Sequence, residues 1–313
     1  MKSNKMLEII NVSKFFGKFN AIKDINLTVY SGEVFGFLGP NGAGKSTTIK
    51  MITGLLPIDK GDILINNNSI NTNFEEAIKN VGAIVETPDL YDYLSGYDNL
   101  KLIARLYKVN DENLNEIVEI IGLKSKIKEK VKKYSLGMKQ RLGLGVALIR
   151  QPKLLILDEP TNGLDPEGIH KFRDILKDLA HNKGVCVFVS SHLLSEMQLM
   201  CDRVAIINKG QIIKVEKTNE IVDTNITLDK KDIYELITQS NDKAKDILIK
   251  NDYKLINDSE NDNKLIIAIS KEQISKLINL LADNNILTYE VTRKKQTLED
   301  VFLSITNGGS INE

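Results

Sequence analysis

Short apolar runs rich in β-branched residues alternate with stretches of helical period along the first two thirds of the chain. The runs are Leu7–Val12, Ile25–Val29, Glu33–Leu38, Asp62–Ile65, Val81–Val85, Leu154–Leu157, Val185–Ser190 and Arg203–Asn208. Strands separated by helices in this manner predict an α/β domain built on a parallel sheet. The stretch between the fifth and sixth runs is different. From about 95 to 150 the period is helical throughout, with Leu100, Ile103, Leu106 and Tyr107 expected on one face. A helical insert is therefore expected inside the α/β core.

After Lys217 glycine disappears until Gly308, and Asn, Asp, Lys and Ile dominate. The pattern there predicts strand Ile233–Thr238, helix Asn241–Asn251, strands Tyr253–Asn257 and Lys264–Ile269, helix Lys271–Ala282 and strand Ile286–Val291. That β-α-β-β-α-β order is the split βαβ, or ferredoxin-like, pattern. The expected division is thus an α/β domain over 1–217 and a small α+β domain over 218–313.

Composition narrows the class. Hydrophobic residues make up 42% of the 313 and charged residues 27%, which supports packed cores and excludes wholesale disorder. Lys plus Arg equal Asp plus Glu at 42 each, so a chain-wide footprint for nucleic acid or anionic membrane is not expected. The apolar stretches Val34–Gly44 and Leu142–Ile149 fall well short of the ~18 residues a membrane span needs. The polar start Met1–Met6 lacks a signal-peptide core. Cys186 and Cys201, the only cysteines, are expected as buried thiols of a cytoplasmic protein.

The sharpest chemistry lies in Gly39-Pro40-Asn41-Gly42-Ala43-Gly44-Lys45-Ser46-Thr47. It follows an apolar strand and opens a helix, the context a phosphate-binding loop requires. Its glycines let successive N–H groups converge on phosphates at a helix N-terminus. Lys45 is expected to reach the β- and γ-phosphates of ATP, with the Ser46 hydroxyl on Mg²⁺. A second element, Leu154–Leu157 followed by Asp158 and Glu159, puts two carboxylates at the C-terminal edge of a parallel sheet, where ligands bind. Asp158 would hold Mg²⁺ through water, and Glu159 would act as general base.

Three further segments narrow the reading beyond a P-loop NTPase. Ser135-Leu136-Gly137-Met138-Lys139-Gln140-Arg141 opens a helix, Asn162-Gly163-Leu164-Asp165 follows Glu159, and Ser190-Ser191-His192 closes a strand. In this order they resemble the signature, D-loop and H-loop of ATP-binding cassette (ABC) ATPases, over about residues 7 to 215. The resemblance implies a P-loop cassette with a helical subdomain over about 95–150, hydrolysing ATP with Mg²⁺. It also implies a second cassette, paired head to tail so that each ATP lies between one phosphate loop and the partner's signature. Ser135 and Gly137 would then touch a nucleotide in trans, Asp165 would bridge the subunits, and His192 would align the γ-phosphate and water. Phe16, just before Gly17, falls where the family stacks an aromatic on adenine, with Phe15 and Phe19 as competitors.

Two positions depart from the family pattern. Leu136 stands where the signature usually has Gly, while Ser135 and Gly137 are kept. Glu86 stands where the family carries Gln near Mg²⁺, and with Asp89-Leu90-Tyr91-Asp92-Tyr93-Leu94 it resembles bacitracin-resistance and lantibiotic-immunity exporters. The resemblance implies a separate integral-membrane permease, a position on the inner face of the membrane, and no nucleic-acid partner. General drug or sodium exporters, or a soluble non-transport cassette ATPase, are the alternatives. The lysine-rich stretch Lys124–Lys133 reads as a solvated face, and His170 and His181 lack metal-ligand spacing. The ending Thr297–Leu303 resembles the closing helix of exporter cassettes with C-terminal extensions.

Overall fold

The computed structural model describes residues 4–218, 232–251, 253, 255, 264–270 and 272–293. The chain divides into two compact units, Met1–Thr218 and Asn219–Glu313.

In the first unit the eight sequence-predicted runs all become strands, but they do not share one sheet. Strands β1 (Lys5–Phe16), β2 (Phe19–Tyr30), β4 (Lys60–Ile65) and the short β5 (Asn68–Ser69) form an antiparallel sheet in the order β2-β1-β4-β5. This antiparallel sheet comes in addition to the parallel sheet expected from the sequence. Only Gly17 and Lys18 separate β1 from β2, and Gly17 takes φ +59°. Two residues make a hairpin and are far too few for a parallel crossover.

The other strands are β3 (Val34–Leu38), β6 (Val81–Ile84), β7 (Leu154–Leu157), β8 (Cys186–Ser191), β9 (Arg203–Asn208) and β10 (Gln211–Lys217). They form a second sheet ordered β10-β9-β3-β8-β7-β6, parallel from β9 to β6. Every residue of β3, β7 and β8 is buried, as expected for parallel strands covered on both faces. Strand β10 pairs antiparallel with β9 through the turn Lys209-Gly210, both at positive φ. It was not anticipated, because its Lys and Glu residues dilute the apolar signal. Phe188 packs against Phe35 and Phe37 at centroid distances of 5.9 and 5.3 Å, joining the core shared by the two sheets.

The unit's helices include α1 (Lys45–Ile52), α2 (Phe74–Ile78) and the insert α3 (Gly96–Leu106), α4 (Asp111–Ile120) and α5 (Leu136–Leu148). Next come α6 (Pro166–His181) and α7 (Leu194–Met200). Their starts are readable: Ser95, Asn110, Ser135 and Asp165 each accept a hydrogen bond from the backbone N–H three residues on. The insert occupies the predicted place between β6 and β7. Its first helix is rotated from the expected face, since Leu100 and Ala104 are buried while Leu106 and Tyr107 are exposed. Helix α3 ends at Leu106 with Tyr107 as its C-cap, so these two residues lie at its end and not along its packed stripe.

The second unit contains β11 (Asp232–Thr238), α8 (Asn241–Lys250), β12 (Leu265–Ile269), α9 (Gln273–Asp283) and β13 (Thr288–Arg293). Its antiparallel sheet runs β12-β11-β13, and Leu255 adds an antiparallel bridge to Ile267. That bridge is the described part of the predicted strand Tyr253–Asn257. Residues 254, 256 and 257, like the ending Thr297–Leu303, lie outside the described residues. Leu236, Leu248, Ile267, Leu277 and Leu281 form its core. Among the described residues, no helix is long and apolar enough to cross a membrane.

Candidate nucleotide-binding site

Strand β3 delivers the chain into the loop Gly39–Gly44, and α1 leaves it at Lys45. Gly42 and Gly44 adopt φ +78° and +110°, a region that costs side-chain-bearing residues strain. Gly39 is excluded from substitution for a different reason: a Cβ there would meet the Ile207 carbonyl at 2.5 Å. The loop therefore curls so that α1 presents its N-terminus to a cleft of about 230 Å³. Asn41, Gly42, Gly44, Lys45, Ser46, Thr47, Glu159, Phe16, Phe19 and Ala21 line it. Pro40 and Ala43 shape the loop from within, the Ala43 N–H donating to the Pro40 carbonyl at 3.2 Å. A larger hollow, about 430 Å³ between α4, α5 and α6, holds none of the predicted site residues.

Lys45 is buried, and its ammonium donates to the Gly39 and Pro40 carbonyls at 2.8 and 3.3 Å. It also pairs with Glu159 Oε1 at 3.1 Å. The other oxygen of Glu159 meets His192 Nδ1 at 2.9 Å and accepts from the Asn162 amide at 2.5 Å. Partial burial pushes the Glu159 carboxyl up, but Asn162, Lys45 and His192 together outweigh it and hold the group below its ordinary value. Asp158, nearly fully buried, accepts from the Ser190 hydroxyl at 2.6 Å, and the same hydroxyl accepts the Glu159 N–H at 2.9 Å. Ser190 thus braces both acids from the neighbouring strand.

Of the sequence-predicted residues, the loop, Lys45, Ser46, Thr47, Glu159, His192 and Phe16 gather in one place, with Asp158 directly behind Glu159. Phe19, weighed only as a competitor, lines the cleft together with Phe16, its cross-strand partner in the β1–β2 hairpin. Phe15 does not line it; its ring lies 5.6 Å from Lys60 Nζ. Ser135, Gly137 and Asp165 stand outside the cleft, at the N-termini of α5 and α6.

Glu86 is not brought to the cleft. Its carboxylate accepts from Lys50 Nζ at 2.8 Å, is 68% exposed, and is held below the usual carboxylate range by that hydrogen bond. Lys50 lies one turn beyond Ser46 on α1 and captures the charge before it reaches the phosphate loop. A hydroxyl and a carboxylate are hard oxygen donors suited to Mg²⁺, so Ser46 and Asp158 fit that ion, whereas Glu86 is engaged elsewhere. Sequence reading missed Asn162 and Ser190 as partners of the acids; the Asn at the third position after Glu159 was the one signal for a turn that could close on it.

An ABC transporter family model matches residues 22–162, which contain the loop and both acids. An uncharacterized ABC transporter ATP-binding protein of Bacillus subtilis, YhcH, is 49% identical over 302 residues, covering 96% of both chains. The chain belongs to the ABC transporter ATP-binding proteins. Members of this family are ATPases coupled to transport, so this ABC subunit binds and hydrolyses ATP. The bacitracin transport ATP-binding protein BcrA of Bacillus licheniformis is 37% identical over 98% of this chain and 99% of its own. A dimeric cassette solved in a post-hydrolysis state with ADP and phosphate superposes with a TM-score of 0.60. It is 25% identical and covers 68% of this chain and 99% of its own. Cassettes of this family dimerise and work with membrane permease subunits.

Proposed function

We propose that this subunit drives export of a peptide antibiotic of the bacitracin or lantibiotic type through a separate integral-membrane permease, at the inner face of the membrane. The observation that carries the reading is the match to BcrA, which extends through both units of the chain. Glu86 and the Asp89–Leu94 segment support it, as the positions where the sequence resembles such exporters. Antibiotic susceptibility of cells expressing the chain with a permease encoded beside it tests the proposal, wild type against Glu159→Gln. Resistance to a peptide that vanishes with the variant supports it; resistance only to small hydrophobic drugs or sodium favours the general exporter.

The working unit is a dimer of two such cassettes, formed on ATP binding. Phe16 receives the nucleobase, the Gly39–Thr47 loop wraps the phosphates, and Lys45 transfers its charge from Glu159 to them. Ser46, and Asp158 through water, would hold Mg²⁺, which when bound would supply positive charge against the phosphates. Ser135 and Gly137 of one chain complete the site of the other, with Asp165 between the subunits. Glu159 takes a proton from the attacking water, aligned by His192, as the bond from the γ-phosphorus to the bridging oxygen breaks. ADP and phosphate leave and the dimer reopens. The second unit is an accessory ferredoxin-like domain that serves dimer contact or regulation.

A further inference from the structure

Two leucine–glycine contacts join the loop after Glu159 to the start of α5. Leu136 Cδ2 stands 3.0 Å from where a Cβ on Gly163 would lie, and Leu164 Cδ2 stands 3.8 Å from where one on Gly137 would lie. Each leucine thus packs on the bare α-carbon of the other segment. Gly163 also takes φ +75°, so a side chain there would meet both strain and Leu136. Helix α5 does not need this contact to begin, because the Ser135 hydroxyl already accepts the Met138 N–H. Nor does Leu136 serve the hydrophobic core, since it is 47% exposed. The family's usual Gly at this position would have no side chain to reach Gly163.

The same loop grips the acid on its other side. Asn162 donates its amide to Glu159 Oε2 at 2.5 Å, and its N–H closes a turn on the Glu159 carbonyl at 3.2 Å. Thr161, buried, donates to Glu196 Oε2 on α7 at 2.5 Å, which fixes the loop's base. The loop is therefore anchored behind at Thr161 and at its exit, where the Leu164 N–H donates to the Thr161 carbonyl at 3.1 Å and Asp165 caps α6; between these anchors Asn162 meets Glu159 and Gly163 meets Leu136.

We propose that Leu136 is a positioning residue that ties the signature segment to Glu159 through Gly163 and Asn162. The inference rests on the reading given above, in which Ser135–Gly137 serves the partner's nucleotide and Glu159 serves the chain's own. Engagement of the signature by one nucleotide shifts Leu136; Gly163 and Asn162 follow, and the carboxylate serving the other nucleotide is realigned. The two sites of a dimer are coupled inside each chain by this short packed link.

The test uses purified full-length chain carrying Leu136→Gly, Leu136→Met, Asn162→Ala or the double change Leu136→Gly with Asn162→Ala. ATPase rate against ATP concentration gives kcat and the Hill coefficient, and a fluorescent ATP analogue without magnesium gives nucleotide affinity. Wild type should show a Hill coefficient above one. Leu136→Gly should lower kcat by roughly 2- to 30-fold and bring the Hill coefficient towards one, at unchanged affinity. Leu136→Met, close in volume, should restore both. The double variant should be no worse than the more impaired single one, since both cut the same link. Multiplying losses, no rescue by Met, or a Hill coefficient untouched by Leu136→Gly would overturn the proposal. Glu159→Gln separates the two levels: if its turnover survives, the general-base reading fails and this one with it. If turnover is lost there but Leu136→Gly behaves as wild type, only the link is refuted. Circular dichroism checks folding, and Leu136→Ala replaces the glycine variant should that one unfold.

Discussion

Lys45 and Glu159 are ion-paired at 3.1 Å, and the lysine is the more deeply enclosed of the two. In the proposed mechanism the group that would neutralise phosphate is thus already neutralised by the group that would activate water. Phosphate would have to take Lys45 from Glu159, and in doing so would free the carboxylate. On that proposal ATP binding and base release are one exchange of partners. Removing the charge with Glu159→Gln should therefore tighten magnesium-free ATP binding by about 3- to 10-fold, the scale of one partly exposed ion pair. The same variant should slow hydrolysis at least ~100-fold. Equilibrium nucleotide titration beside single-turnover assay checks both; unchanged or weaker binding would show that the pair does not compete with phosphate.

Lys45→Ala tests the other partner. It removes the only ammonium lining the cleft among the described residues, so ATP affinity should fall by at least about tenfold, since a charge-assisted contact to phosphate is lost. ATP affinity equal to wild type by isothermal titration would remove the loop from its assigned role.

The structure explains why some of this was legible beforehand and some was not. Strands β7 and β9 were readable to the residue because each is a short apolar run bounded by charged or turn residues. The phosphate loop was readable because its chemistry is local: glycines, lysine and hydroxyl follow one another along a single strand–helix junction. Pairing direction was not readable for β1 and β2, since the hairpin hangs on the left-handed Gly17 alone. The bonds from Ser190 to Asp158 and from Lys50 to Glu86 join residues 32 and 36 apart, and nothing in either neighbourhood announces them. The assignment of Glu86 to Mg²⁺ therefore overlooked a cation, Lys50 on α1, that only the folded chain brings within reach.

The aromatic pair at the hairpin makes a separate prediction. Phe16 and Phe19 both line the cleft, and at 50% and 67% exposure their rings are accessible to a planar base. Stacking of a base on one ring contributes about 1–3 kcal/mol. Phe16→Ala and Phe19→Ala should each weaken ATP binding by roughly tenfold, while Phe15→Ala should leave it unchanged. Fluorescent-nucleotide titration of the three variants decides; equal behaviour of all three would mean that neither cleft ring carries the base.

Both thiols are sealed. Cys186 and Cys201 are free and buried, and burial pushes each thiol well above its ordinary pKa. A thiol that stays protonated is a poor nucleophile. Native protein should therefore react with a disulfide reagent far more slowly than denatured protein, which should release two equivalents of chromophore. Rapid reaction of either cysteine in the native state would contradict the packing around β8 and α7.

Glu86 and Lys50 supply the last prediction. Glu86 holds φ +67°, a conformation costly for a residue with a Cβ, and its side chain is tied to α1 only through Lys50. The Lys50 hydrogen bond lowers the Glu86 pKa, so the ionised pair is present above the ordinary carboxylate range and is lost as pH falls through the depressed value. Glu86 is largely exposed and Lys50 partly so, so the pair adds little to stability. Its effect should fall on coupling between α1 and the segment leading into α3. Glu86→Gln and Lys50→Met should each leave basal ATPase activity of the isolated subunit within about twofold, yet, if the proposed export holds, reduce permease-dependent protection of cells against the peptide. Because both changes cut one contact, the double variant should protect no worse than either single one. Losses that multiply in the double variant would mean that Glu86 and Lys50 act on separate partners and that their pairing has no part in coupling.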